Sequence, residues 1–176
     1  MFKKEYVFYG SHADKVQALV SKFSNFSGST LFRRNVDVLL FAPIVGFLFG
    51  KMSEVDKSKN RSTKIFIEQM IREDLRIRFN YQIITLLDKK NIIDDDKRID
   101  STFRNIEQEE AESELRRYNE YILGGVDILW EKLIEPAKLE QDYLNNLYDF
   151  LDAINDRYNE TLTNDSVMDL YTLARR

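Results

Sequence analysis

The stretch Asn35-Val-Asp-Val-Leu-Leu-Phe-Ala-Pro-Ile-Val-Gly-Phe-Leu-Phe-Gly50 decides how the rest of the chain is read. From Val38 to Gly50 no residue is charged, and Asp37 and Lys51 close the run at either end. A helix apolar on every side is one that is buried all round. The run is too short to cross a membrane, which takes about 20 apolar residues. Pro43 and Gly46 agree with a kinked or closely packed helix. The segment therefore predicts a central helix over 36–50, with Leu40 and Phe47 among its buried side chains. Each such side chain contributes about 1.5–3 kcal/mol when fully buried.

Working outward, 176 residues suit one domain with a core of its own. A hydrophobic fraction of 43% and an aromatic fraction of 12% exclude intrinsic disorder as the default, because disordered chains lack the apolar surface that offsets ordering entropy. With 6 Gly and 2 Pro the chain has few breaks, which favours long helices over many short strands. There is no cysteine, so disulfides, thiolate zinc sites and cysteine nucleophiles are all excluded. A net charge of −4 argues against general affinity for phosphate backbones while leaving room for a local basic patch. Met1-Phe-Lys-Lys-Glu-Tyr6 shows no apolar run before a small-residue cleavage site, and the expected location is cytoplasmic.

Before the central stretch, Glu5–Tyr9 is aromatic and β-branched, a short strand for which no second strand is evident. Ser11 or His12 would cap a helix over Ala13–Phe23 that carries Val16, Leu19, Val20 and Phe23 on one face. After it, Lys51–Thr63 is polar and aperiodic and reads as an exposed, net-positive loop. Apolar residues return at helical spacing from Lys64 to Lys90, at Ile67, Met70 and Ile71 and then Leu75, Phe79, Ile83, Leu86 and Leu87, which suits one long helix or two joined near Arg72–Asp74. Asp94-Asp95-Asp96 reads as an acidic helix start. Glu107–Leu123 has strong helix propensity. In Tyr121-Ile-Leu-Gly-Gly-Val-Asp-Ile-Leu-Trp130 the paired glycines mean either a turn through positive φ or a close approach of another backbone. Leu144, Leu147, Leu151, Ile154 and Tyr158 alternate steps of three and four, the seam of a packing helix. A polar gap then precedes a short helix over Ser166–Ala174. The predicted architecture is an all-α helical bundle around the buried central helix, with room for one short N-terminal strand. Residues 1–158 form one domain and 159–176 a polar linker with a short helix.

No constellation of nucleophile, base and acid is legible. His12 is the one histidine, so a catalytic dyad or a histidine metal site would want companions of other kinds. The aspartates at 94–96 are consecutive, without the alternation and the glycine of a calcium loop. The expectation is a non-enzyme with no cofactor and no metal. Two kinds of contact remain. Lys57, Lys59, Arg61 and Lys64, with Arg72, Arg76 and Arg78, are candidates for nucleic-acid contact; Arg72 and Arg76 share a helix face. Leu147, Leu151, Ile154, Val167, Leu170 and Leu173 are candidates for partner contact.

Two blocks carry a family likeness. Leu31-Phe-Arg-Arg-Asn-Val-Asp-Val-Leu-Leu-Phe-Ala-Pro-Ile-Val-Gly-Phe-Leu-Phe-Gly-Lys51 and Arg117-Tyr-Asn-Glu-Tyr-Ile-Leu-Gly-Gly-Val-Asp-Ile-Leu129 together resemble small accessory proteins linked to DNA phosphorothioation-dependent restriction in bacterial phage-defence islands. Pro43 stands where that pattern has a small residue. The resemblance implies a non-catalytic interaction subunit of a multi-protein defence or DNA-processing complex, with a larger ATPase or nuclease as partner. It supplies no catalytic residues. Direct nucleic-acid binding through the basic patch is the alternative, and a homo-oligomer is compatible with either.

Overall fold

The computed structural model describes residues 4–24, 28–56, 61–104 and 112–161, with side chains as far as residue 157. The elements in order are β1 (Tyr6–Tyr9), α1 (Gly10–Val20), α2 (Asn35–Leu48), β2 (Ser62–Ile65), α3 (Ile67–Arg72), α4 (Asp74–Leu87), α5 (Asp95–Ile99), a π-helical turn (Asp100–Arg104), α6 (Glu112–Leu133) and α7 (Glu140–Thr161). The fold is mostly α, with helices packed on one another. Among the described residues no helix is long and apolar enough to cross a membrane.

The central stretch is the interior. Val36, Val38, Leu39, Ala42 and Val45 of α2 are buried, and its most extensive pairing is with α6. That pairing is held unusually close by small residues. A methyl group at Gly46 would overlap the Tyr121 carbonyl oxygen, and one at Gly125 would overlap that of Ala42. The two glycines of α6 therefore do not end it. The helix runs through them because another backbone lies against it, at a cost of about 1 kcal/mol per glycine relative to alanine. Tyr118, Ile122, Val126, Leu129 and Leu133 complete the α6 side of the core. Pro43 lacks the N–H that would bond the Leu39 carbonyl, and the neighbouring Leu40 carbonyl accepts a 2.7 Å hydrogen bond from Asn80 Nδ2 of α4.

The second strand is a correction. β2 lies at the end of the segment expected to be loop, and pairs antiparallel with β1 in the register Tyr6–Ile65 through Tyr9–Ser62. Ser62-Thr-Lys-Ile65 alternates exposed and buried positions, but four residues with two polar side chains outward give too short a period-2 signal to stand out. Gly10, at φ 58°, turns the chain from β1 straight into α1. The helix start is capped from a distance: Ser11 N–H donates to Asp56 Oδ2 at 3.0 Å, in place of a local side-chain cap.

Glu73 divides the following region into α3 and α4, the two-helix alternative. α5 begins as the acidic run predicts, with the Asp94 carboxylate accepting from Lys97 N–H at 2.8 Å. α7 extends to Thr161, beyond the expected boundary at Asn159, while residues 162–176 lie outside the described set. Its seam is also corrected. Phe150 is its buried anchor, flanked by half-buried Leu147 and Ile154, whereas Leu144 and Leu151 face outward. Phe150 stacks on Phe49 with centroids 6.0 Å apart, and Tyr143 stacks on Phe23 at 5.0 Å. Aromatic stacking thus turns the helix slightly from the leucine spacing.

Candidate interaction surface

Of the apolar residues at helical spacing over 64–90, only some face the core. In α4 the buried residues are Ile77, Tyr81, Ile84 and Thr85. Leu75, Phe79, Ile83 and Leu87, one turn apart, look outward instead; Leu75 is 81% exposed and Phe79 60%. Ile71 of α3 stands 68% exposed a turn earlier. Leu75 and Phe79 of this stripe face α2 across an open groove of about 650 Å³ lined also by Phe32, Leu40, Phe41 and Ile44, with Asp37, Arg76 and Asn80 as its polar members. Leu40, expected deep in the core, is half buried on this groove. α4 has apolar residues on both faces, more than a core-facing stripe requires. That surplus was the sequence signal for a surface, and periodicity alone could not choose between the faces.

Charge is distributed unevenly around the groove. Arg34 bridges Asp37 at 2.6 Å and Glu73 at 3.2 Å, and Arg76 also reaches Glu73 at 3.4 Å. The hydrogen bonds that the Arg34 guanidinium donates to Asp37 and Glu73 hold it above its ordinary pKa. Both acids beside the groove are therefore engaged. Arg33 and Arg72 are exposed and enter no ion pair with a described residue.

Among the described residues, most of the expected nucleic-acid contacts are engaged in ion pairs. Arg61 pairs with Asp14 at 3.0 Å, Lys64 with Glu5 at 2.9 Å and Arg78 with Asp74 at 3.3 Å. Lys57 and Lys59 lie outside the described residues, as do Val167, Leu170 and Leu173 among the expected partner contacts. Of the remaining partner candidates, Leu147 and Ile154 pack on the core, which accounts for them without a partner, and Leu151 is half exposed.

A second constellation was missed altogether. Asp127, just after the glycine pair, takes a 2.7 Å bond from Lys15 Nζ and a 2.6 Å bond from the Ser53 hydroxyl, and His12 Nε2 lies 3.4 Å from Oδ1. Burial would raise the Asp127 pKa, but His12, Lys15 and Ser53 outweigh it and hold the carboxyl far below its usual range. His12 is buried, not a helix cap, and neither ring nitrogen makes a hydrogen bond. A nucleophilic serine needs a base that takes its proton. Here the Ser53 hydroxyl points at a carboxylate too acidic to serve, so the cluster acts as a clasp joining α1, the 51–56 segment and α6. Among the described residues no group of three or more potential ligands could hold a metal ion.

No protein family, curated protein or solved structure matches the chain.

Proposed function

We propose that the chain is a non-catalytic interaction subunit that binds a protein partner through the groove between α2 and α4. One observation carries this reading: a run of large aliphatic and aromatic side chains, Ile71, Leu75, Phe79 and Ile83, is solvent-exposed beside an apolar groove. A contiguous exposed apolar patch is the ordinary mark of an interaction site, whereas single exposed apolar residues are commonplace. The likeness of the 31–51 and 117–129 blocks to accessory proteins of phosphorothioation-dependent restriction supplies the setting, a bacterial defence or DNA-processing complex with a larger ATPase or nuclease. In the fold the first block contains α2 and the second lies within α6, two helices that approach closely at Gly46 and Gly125.

Affinity capture of the tagged chain, co-expressed with its neighbouring genes, tests the reading. A stoichiometric partner should be retained by the parent and lost by Phe79→Asp. A partner that binds both forms equally contradicts it.

Arg33 and Arg72, exposed and free of ion pairs with described residues, keep direct nucleic-acid binding as a second reading. It requires a salt-dependent shift of duplex or single-stranded DNA that Arg72→Glu weakens.

A further inference from the structure

We infer that the outward face of α7 docks a basic amphipathic helix of a partner protein. This surface is separate from the α2–α4 groove and does not depend on it. α7 carries two seams. Tyr143, Leu147, Phe150 and Ile154 step by four, three and four and face the domain, where Tyr143 stacks on Phe23 and Phe150 on Phe49. Leu144, Tyr148, Leu151 and Asn155 repeat the same steps one residue later, and all four are exposed, Tyr148 at 72%. One seam is enough to hold a helix on its own domain. The second has the spacing that lets helices interlock, and it presents three large apolar side chains to a further helix. The backbone agrees. α7 spends its N–H and C=O groups internally, so an extended segment laid here would find no main-chain partners.

Charge selects the occupant. At about 3.6 residues per turn, Asp149, Asp152 and Asp156 form a row beside the outward seam, on the side away from the core. All three are exposed, and none of their carboxylates pairs with another described residue. From Glu140 to Arg157 the helix holds five acids and one base, a charge of −4 that equals the net charge of the whole chain. The base, Arg157, lies over the Phe49 ring at 4.2 Å. Lys138, just before the helix, is separated from Asp149 by more than two helical turns. Nucleic acid and anionic lipid are repelled by such a row. The same face of a second copy brings acids to it and no cation. Residues 162–176 set Asp165 and Asp169 against Arg175 and Arg176, so their charges cancel. A cationic helix of another protein meets both features, with apolar side chains on the seam and Lys or Arg over the acids.

Fluorescence anisotropy on the full chain tests this with two designed helical peptides of about 18 residues, identical in a leucine stripe and flanked by Lys in one and by Glu in the other. The Lys-flanked peptide should bind at least about tenfold tighter at low salt, the advantage shrinking as salt is added. Asp149→Lys, Asp152→Lys and Asp156→Lys together should reverse the preference. Tyr148→Asp adds a negative charge and should still weaken the Lys-flanked peptide about tenfold or more. Phe79→Asp, on the α2–α4 groove, should leave that binding unchanged. All these variants alter exposed side chains, and circular dichroism melts matching the parent's certify the fold. Equal binding of the two peptides, no binding of either, or a preference unmoved by the aspartate changes overturns the inference. So does loss of binding with Phe79→Asp but not with Tyr148→Asp, which puts the peptide in the groove. Tighter peptide binding by Leu170→Asp with Leu173→Asp assigns the face to residues 162–176, and a dimer in sedimentation that Tyr148→Asp dissolves assigns it to a second copy; either result overturns it as well.

Discussion

Gly125 sits where a single methyl group would meet the Ala42 carbonyl, so the distance between the two central helices is set by a hydrogen atom. Gly125→Ala must push α6 off α2 or distort both, and overpacking of this kind costs about 3 kcal/mol or more when backbone is what must move. Urea denaturation should show the midpoint falling with little change in slope. The glycine pair was legible because glycine in a helix wants a reason, and close approach was one of two on offer. Asp127 was not legible. Its two donors come from residues 15 and 53 and the nearby imidazole from residue 12, and no local pattern joins positions so far apart in the chain. Asp127→Asn leaves Lys15 without its partner and should destabilise by about 3 kcal/mol at neutral pH. Because the folded-state carboxyl titrates below its unfolded value of about 3.9, its contribution is whole above that value and fades as pH falls through the folded pKa. The parent should therefore lose stability on acidification more steeply than the asparagine variant, as melting temperatures at pH 3 and pH 7 would show.

At the scale of elements, α4 decides the account. Both of its faces are apolar, and Leu75, Phe79, Ile83 and Leu87 repeat every four residues as regularly as a core seam would. What places Tyr81 inside is its partner: its ring meets Tyr118 edge-on at 5.5 Å, an arrangement that needs α6 and is invisible in sequence. Burial pushes the Tyr118 hydroxyl above its usual range, and burial with the Asp88 charge pushes Tyr121 up to about 12. Tyr81→Asp should accordingly unfold the domain, whereas Leu75→Asp should change the melting temperature by no more than a few degrees, since surface changes are usually within about 0.5 kcal/mol. Circular dichroism melts of the two variants decide between the faces. α7 makes a smaller case of the same kind. Leu147→Ala should cost more than Leu151→Ala, because Leu147 packs on the core and Leu151 is 50% exposed.

For the whole molecule, the class was readable from composition. Few glycines and prolines, abundant aliphatic and aromatic residues and one uncharged run were enough to place a buried helix amid amphipathic ones. The two-stranded sheet escaped because β2 is short and half polar, and because its pairing joins segments far apart in the chain. The surface escaped for a different reason. Sequence periodicity reports that apolar side chains share a face, but which face meets the core is settled by the partner helices. A buried core on one side of α4 and an exposed apolar stripe on the other are what support the proposed interaction surface. Hydroxyl-radical footprinting of the protein, free and bound to its captured partner, reads that arrangement directly. Phe79 and Leu75 should be oxidised in the free protein while Tyr81 is spared, and their labelling should fall in the complex. Protection of Phe79 in the free protein, or labelling unchanged by the partner, would contradict the account.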